Sequence, residues 1–433
     1  MATAMATAMA TAMATAMATA MATAMATAMD ALVGCLDGSD APTGCAQGRP
    51  SCSAPSPAHK CHNEQIARRR RGGKAARRSS RKTRMSASLK IGLMGYGFAG
   101  ATFHAPVIEH CGRARVAAIA TGQSERAHAD YPHAKIVADL DALLALDDID
   151  CVVIATPNDT HFDLARRTLE AGKHVVVDKP VTLSAADAHT LANIALARGK
   201  LFAPFHNRRW DGDFLTVRDL LARVELGRLT QYESHFDRFR PGVRQRWRED
   251  VTRGGGLLFD LGPHLIDQAL ALFGAPKTVS ATVRTHRDDA SAPDYVHIQL
   301  GYDEFEVVLH ASALTALPGR RFAIHGTRGS YVKYGLDTQE DQLKAGLRPG
   351  DAGFGAGNSP GMLRVLEGDE EVECELPTRN GEYAGFYIAL ADAIQNRVAF
   401  PISTRDAVDV MTIIDLAARS SEQGVRLPFE RIR

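Results

Sequence analysis

The sequence predicts an α/β chain with two folded halves: a doubly wound parallel sheet first, then an α+β half around an open, mainly antiparallel sheet. Three observations predict it. A short apolar strand, Leu89–Met94, runs directly into Gly95-Tyr96-Gly97-Phe98-Ala99-Gly100, with helical sequence behind it. From Leu89 to Asn207, short β-branched runs alternate with helical stretches, the pattern of strands joined by crossover helices. From Lys277 onward, strand-like runs follow one another with turns between them, and helical sequence returns near the C-terminus.

The 433 residues are 45% hydrophobic and 23% charged, ordinary for a globular protein and long enough for two or more domains. The net charge of +1 conceals an asymmetry. Residues 1–84 carry 12 Lys and Arg against four acids, while the remainder carries 39 against 46. A mildly acidic body argues against nucleic acid as the main partner. Residues 1–28 are seven copies of Met-Ala-Thr-Ala, a period that matches no stacking repeat and no heptad. Thr at every fourth position and the missing basic flank argue against a membrane span. A Pro/Ser/Gly/Cys-rich stretch and an Arg-rich run to Arg84 follow, and both read as a disordered leader. A transit peptide or a nucleic-acid arm are the functional alternatives. A twin-arginine export signal fails, because no apolar stretch follows Arg77-Arg78. The favoured reading starts translation at Met85, which divides the chain into a leader (1–84), a first domain (85–207) and a second (208–433). None of the seven cysteines has zinc-finger spacing, so no metal site is expected. Cys111, Cys151 and Cys374 read as buried thiols of a reducing compartment, which makes the cytoplasm the expected location.

In the first half the expected strands are Leu89–Met94, Arg115–Ala120, Cys151–Thr156, His174–Val177 and Leu201–Phe205. Helices are expected near Ala99–Glu109, Asp139–Leu146, Thr160–Ala171 and Ser184–Arg198, with Gly172 and Gly199 where C-terminal caps belong. The glycine-rich turn gives this half its chemistry. Gly95 permits a tight turn, Gly97 lets backbone approach a pyrophosphate, and Gly100 lets the helix pack close to the strand. Phosphates then sit among N-terminal amides that have no partner within the helix. This is the fingerprint of a Rossmann dinucleotide-binding domain, with Tyr96, Phe98 and Ala99 completing the cofactor turn. An NAD site usually ends its second strand in Asp or Glu. Here that place holds Ala120-Thr121-Gly122-Gln123-Ser124, with no acid before Glu125. Thr121 would tolerate a 2′-phosphate and Arg126 could reach it, so NADP is favoured, with NAD the alternative.

Two strand ends carry further candidates. Thr156-Pro157-Asn158-Asp159-Thr160-His161 follows a buried strand at the edge where doubly wound sheets bind ligands. Val177-Asp178-Lys179-Pro180 ends the next strand at that edge. A lysine there can hold a substrate oxygen and stabilise charge on it, though on position alone a surface lysine is an equal reading.

In the second half, Gly254-Gly255-Gly256 leads into a helix to about Phe273, with Asp260, His264 and Asp267 spaced to share one face. Pro263 is tolerable in a first turn and would bend it. A histidine can take a hydroxyl proton as hydride leaves the same carbon, and a nearby carboxylate would orient its ring. A capping Asp and a packed His would be the commoner reading of an isolated D-x-x-x-H. Gln231–Arg240 alternates as a long strand, with Arg238 and Arg240 on one face and Asp237 and Phe239 on the other. Arg238 and Arg240 are candidate substrate contacts, with a solvated strand face the equal alternative. Further strands are expected near Lys277–Thr285, Tyr295–Gly301, Phe305–Ala311, Arg321–His325 and Ser330–Tyr334. An exposed loop is expected at Asp351–Pro360, and helices near Tyr383–Gln395 and Thr404–Ser421 should close this half.

Taken in order, the glycine turn, the strand-end T-P-N-x-x-H, the D-K-P and the G-G-G-x-x-x-D-x-x-x-H make the chain from Leu89 onward resemble the glucose-fructose oxidoreductase/inositol dehydrogenase/rhizopine catabolism (Gfo/Idh/MocA) family. Asp178 stands where Glu is commoner in that family, which leaves the lysine in place. The resemblance implies that Lys179, Asp260 and His264 are the catalytic set. It implies that Gly95–Gly100, Thr121, Thr156, Pro157, Asn158, His161 and Lys179 bind the cofactor, and that Asn207 lies near substrate. Phe103-His104-Ala105-Pro106, Asn207-Arg208-Arg209-Trp210-Asp211 and Ser234–Pro241 are similar to one branch, which includes NADP-dependent scyllo-inositol dehydrogenases. The expected activity is hydride transfer between NAD(P) and a secondary alcohol of a polyol, cyclitol or sugar. The alternatives are reduction of another carbonyl or imine on the same fold, and a dinucleotide-binding regulator without catalysis. The expected partner is a small polyol or sugar, with no nucleic acid and no membrane. A large sheet face and the family habit predict a homo-oligomer, dimer or tetramer.

Overall fold

The computed structural model describes residues 88–432. The expectations for residues 1–84 and for a start at Met85 lie outside them. The first half runs β1 (Leu89–Met94), α1 (Ala105–His110), β2 (Ala114–Ala120), α2 (Ser124–Asp130), β3 (Lys135–Val137), α3 (Leu140–Leu144), β4 (Cys151–Ile154), α4 (His161–Glu170), β5 (His174–Val177), α5 (Ala185–Arg198) and β6 (Phe202–Pro204). Every pair in its sheet is parallel, in the order β3-β2-β1-β4-β5-β6. All four residues of β4 are buried, as a central strand covered on both faces requires. Strand order reverses between β1 and β4, so the crevice for a ligand opens at their C-terminal ends. The helices carry local signals. Asp139 and Ser184 accept the amides of Ala142 and Asp187 at the starts of α3 and α5, and Gly199 ends α5 in the left-handed conformation.

The second half runs α6 (Gly212–Ala222), β7 (Leu229–Asp237), α7 (Leu257–Asp260), α8 (Gly262–Phe273), β8 (Thr278–Arg284), β9 (Tyr295–Gly301), β10 (Glu306–Ser312), β11 (Arg320–Gly326), β12 (Gly329–Tyr334), α9 (Gln339–Lys344), β13 (Gly361–Glu367), β14 (Glu370–Leu376), α10 (Ala384–Asn396), α11 (Thr404–Gln423) and β15 (Leu427–Pro428). Its nine strands lie in the order β14-β13-β12-β11-β7-β10-β9-β8-β15, and only β7 and β10 are parallel neighbours. Along β7, Tyr232, Ser234 and Phe236 are buried, while Glu233, His235 and Asp237 lie on the opposite, half-buried face. A buried arginine fastens the helical layer to the sheet. Arg321 pairs with Asp213 of α6 at 3.2 Å, donates to Gln268 of α8 at 2.8 Å and lies over the rings of Phe236 and Phe322.

The structure departs from the sequence reading in several places, and α2, β3, α6, α9 and β15 are elements which that reading did not place. The hairpin β13–β14 is absent from that reading, although Leu363 and Val365 on β13 and Cys374 and Leu376 on β14 alternate toward the core. Cys111 and Cys151 are buried, whereas Cys374 on β14 is only half-buried. The helix expected to close the second half, α10, instead packs on the first. Its Phe386, Tyr387 and Leu390 share a core with Ile91, Ala105 and Val116. An apolar helix face shows in sequence that it must be covered, but not by which layer.

Candidate active site

The glycine-rich turn is shaped by close approach. Gly95 has φ of +100°, and a Cβ on Gly100 would overlap the Gly95 carbonyl oxygen, so neither place admits a side chain without a shift. Around Gly97 nothing lies within 4 Å of where a Cβ would stand. That open backbone, beside the first-turn amides of the helical turn starting at Phe98, fits a pyrophosphate. Tyr96 leaves the turn, its hydroxyl donating to Asp130 at 2.7 Å. Phe98 is 53% exposed and packs edge-to-face on Phe103. At the end of β2, the Thr121 hydroxyl accepts the Gln123 amide at 3.0 Å.

The strand ends beside the turn are cross-braced. His161 places Nδ1 at 2.7 Å from the Pro180 carbonyl and Nε2 at 2.9 Å from that of Thr156. Carbonyls face both ring nitrogens, burial pushes the imidazole below its ordinary value, and the neutral ring donates its single N–H to one of them. His161 was expected to bind cofactor; its side chain instead ties the end of β4 to the segment carrying Lys179. Asn158 donates to the Gly254 carbonyl at 2.9 Å and so joins the same edge to the glycine run of the second half. The Thr156 and Thr160 hydroxyls bond each other at 2.6 Å.

Lys179 and Asp260 meet across the two halves. The ammonium donates to the Asp260 carboxylate at 2.9 Å and to its main-chain carbonyl at 2.7 Å. The second acceptor arises from a break in the helix. Leu261 separates α7 from α8, Pro263 stands in the first turn, and the His264 amide bonds to the Leu261 carbonyl rather than that of Asp260. The Asp260 carbonyl thus remains for Lys179. Burial pushes the Asp260 carboxyl up, but Lys179, Arg238 and Arg248 outweigh it and hold it well below the usual carboxylate range. At Asp178 burial likewise acts upward, and His104 and Lys179 hold the carboxyl at about 2.

His264 is 5% exposed, and its Nδ1 has no hydrogen-bond partner. Burial, then the charges of Lys179, Arg208, His206 and Arg238, push the imidazole well below its ordinary value. The carboxylate expected to orient this ring is committed elsewhere, since the side chain of Asp260 bonds to Lys179. Nor do the three spaced residues act together. Asp267 is buried against Arg209, with bonds of 2.6 to 3.1 Å.

A cavity of 520 Å³ joins these groups. Lys179, Asp260 and His264 line it with Phe98, Ala99 and Asn207 of the first half and with Arg238 and Arg240 beyond β7. Gly95, Tyr96, Gly97, Gly100, Thr121, Thr156, Pro157, Asn158 and His161 do not line it. The cavity also contains residues absent from the sequence reading: Arg244, Arg246, Arg248, Glu340, Lys344 and Tyr383. The three arginines alternate along one stretch, a legible signal. Glu340 and Tyr383 carry none, because the chain fold alone brings them there. On the opposite face of the sheet, Asp237 lies 3.5 Å from His235 and 3.4 Å from His310, a grouping with metal-ligand chemistry that only strand register creates.

The turn, the parallel sheet and the lysine–carboxylate–imidazole cavity define an NAD(P)-binding oxidoreductase. The family described as "Oxidoreductase family, NAD-binding Rossmann fold" matches residues 89–206, and "Oxidoreductase family, C-terminal alpha/beta domain" matches residues 218–429. The chain belongs to this Gfo/Idh/MocA family. It is 44% identical over 343 residues to the uncharacterized oxidoreductase YdgJ of Escherichia coli, covering 79% of this chain and 99% of that one. It is 36% identical over 345 residues to the scyllo-inositol 2-dehydrogenase (NADP(+)) IolW of Bacillus subtilis, covering 79% and 96%. The solved YPO2259 oxidoreductase of Yersinia pestis matches with a TM-score of 0.77 at 44% identity, over 81% of this chain and 99% of that one. No helix among the described residues is long and apolar enough to cross a membrane.

Proposed function

We propose that the protein moves hydride between NADP and a secondary alcohol of a polyol, cyclitol or sugar, with Lys179, Asp260 and His264 as its catalytic residues. One observation carries this reading. A single cavity holds an ammonium, a nearly buried imidazole with a free nitrogen, and Phe98 and Ala99 of the glycine turn. The nicotinamide, when bound, gives or takes the hydride. Lys179 holds the reacting oxygen and stabilises negative charge on it. Asp260 orients that ammonium through two acceptors. His264, uncharged at neutral pH because of its lowered pKa, takes the hydroxyl proton during oxidation and returns one during reduction.

NADP is preferred here over NAD because no carboxylate stands at the end of β2 and Arg126 lies there, bonded to Gln123 at 3.3 Å. The NADP named for the Bacillus subtilis relative points the same way. We expect a homo-oligomer, dimer or tetramer, joined through the half-buried face of the nine-stranded sheet. The buried thiols of Cys111 and Cys151 suit the cytoplasm. The test is absorbance at the nicotinamide band with NADP and NAD against scyllo-inositol, myo-inositol, common aldoses and the uronates and sugar phosphates derived from them. Reduction of NADP by at least one of them is the expected result. Turnover of none of them, with cofactor still bound, would overturn the polyol reading.

A further inference from the structure

The cavity wall carries far more positive charge than its acids balance. Arg238, Arg240, Arg244, Arg246 and Arg248 all line it, and all come from one stretch of eleven residues. Arg238 and Arg240 continue the buried side of β7 past its end, their amides bonding to the Ser312 and Ala313 carbonyls. The chain turns at Pro241-Gly242 and returns through an irregular stretch into a single helical turn, Trp247–Glu249, with Arg244, Arg246 and Arg248 all reaching the cavity wall. Its return is pinned from outside the cavity. Arg287 bonds to Glu249 at 2.7 Å, and the Gly256 amide to the Arg248 carbonyl at 2.9 Å.

Counting partners shows which charges are unmet. The cavity's acids are already engaged: Asp260 by Lys179, Glu340 by Arg208 and Lys344, and Asp178 by the Lys179 amide. Arg246 pairs with Glu249 at 3.0 Å, and Arg248 lies over the Trp247 ring. Arg238, Arg240 and Arg244 form no ion pair with any described residue. Burial, and after it the charges of the neighbouring Arg238, Arg246 and Arg244, push Arg240 below its ordinary value. Uncompensated like charges gathered in one cavity weaken the fold unless a ligand neutralises them. Arginine is the side chain suited to that task, since its planar fork matches carboxylate and phosphate oxygens in pairs.

We propose that the substrate is an anion: a polyol or sugar bearing a carboxylate or phosphate, held by Arg238, Arg240 and Arg244 beside the reacting carbon. The inference rests on the hydride-transfer reading of the same cavity and narrows its substrate class. The anion belongs to the substrate rather than the cofactor because the arginines face the catalytic groups. Arg238 contributes to the charge felt by both Asp260 and His264, and Arg248 to that felt by Asp260. The cofactor's pyrophosphate has its own seat at the Gly95–Gly100 turn.

The test is calorimetric binding of inorganic phosphate, glucuronate and glucose 6-phosphate to the full chain saturated with NADP, with glucose and myo-inositol as neutral controls. Saturation keeps the cofactor's own phosphates from being mistaken for the ligand's. The expected result is binding of at least one anion, weakened at higher salt and about tenfold weaker in Arg240→Gln and in the exposed-site variant Arg244→Gln. The better ligand of glucuronate and glucose 6-phosphate distinguishes carboxylate from phosphate. NADPH affinity should stay within about twofold in both variants. Loss of NADPH affinity with unchanged anion binding would assign the arginines to the cofactor and overturn the proposal, as would failure of every anion to bind. Lys179→Ala separates this idea from the one beneath it, since it should abolish turnover and leave anion binding in place. Anion binding without turnover of any oxidisable substrate would sink the hydride reading and leave the anion site standing.

Discussion

Two aspartates seven residues apart, Asp260 and Asp267, each hold a cation from an earlier segment of the chain, and their surroundings differ completely. Asp267 is 1% exposed and grips Arg209, which also bonds to Asp406 at 3.0 Å and to the Pro401 carbonyl at 2.9 Å. All three nitrogens of that guanidinium are engaged by the fold. Asp260 and Lys179 form the opposite kind of pair. Their side chains remain partly open to the cavity, and the ammonium has two acceptors and a third N–H still to place. A cation pair that is closed and fully used is structural. One that faces a cavity with bonding capacity left is equipped to act on a ligand.

The largest effect expected from breaking that contrast is at Lys179. Lys179→Ala should lower turnover by about 10³-fold or more, because the group that stabilises charge on the reacting oxygen is gone. Thermal stability should fall by only about 1 kcal/mol, since water reaches the site and can solvate Asp260. NADPH titration should show nearly unchanged affinity. Normal turnover in this variant would remove Lys179 from the catalytic set.

Asp267→Ala should reverse the pattern. It leaves Arg209 in a buried site with a single carboxylate, and stability should fall by about 3–5 kcal/mol in a urea melt. Turnover per folded molecule should change little. A variant of normal stability that lost its activity would place Asp267 in the chemistry and erase the distinction.

Much of this arrangement was legible in the sequence, and the division follows the range of the interactions. The glycine turn is local, since strand, turn and helix start lie within a dozen residues, and steric demands at Gly95 and Gly100 select the pattern. Lys179 at a strand end and the D-x-x-x-H motif were equally visible as residues. What they bond to was not. Helical spacing put Asp260, His264 and Asp267 on one face, but the break at Leu261 makes Asp260 part of a separate turn. His161 looked like a ligand because its motif lies at the binding edge, and only packing reveals that carbonyls occupy both nitrogens. Glu340 and Tyr383 reach the cavity from far along the chain beyond His264, outside any periodicity argument.

A smaller effect sharpens the role of His264 through pH. Its pKa lies well below the ordinary imidazole value near 6.5, so the proton-accepting form persists through neutral pH. Alcohol oxidation, followed as kcat/KM, should be flat from pH 8 to 6.5 and fall about tenfold per unit only at more acid pH. Reduction needs the protonated ring and should speed up as pH falls. His264→Gln should remove both dependences along with about 10²-fold of the rate. Stability moves in a related sense. Burial lowers His161, His206 and His264 alike, so below about pH 6.5 the unfolded chain takes up protons that the folded one resists. Melting temperature should therefore fall between pH 7 and pH 5.

The smallest expected effect is at the outer end of the cofactor. Arg126 is exposed on α2, near Asp130 at 3.8 Å and over the Tyr96 ring at 5.5 Å, and it has no buried carboxylate partner. A charge so placed interacts through water, and its contribution to a 2′-phosphate should be only about 1 kcal/mol, or roughly fivefold in affinity. Arg126→Ala should therefore weaken NADPH about fivefold at low salt, leave NADH almost unchanged, and show a smaller loss at high salt. Fluorescence titration of both cofactors at two salt concentrations measures this directly. Equal losses for NADPH and NADH would mean that Arg126 does not sense the 2′-phosphate. Any preference would then have to come from the absence of a carboxylate at Thr121–Gln123, which Gln123→Asp would reverse by accepting the ribose hydroxyls of NAD and repelling the phosphate of NADP.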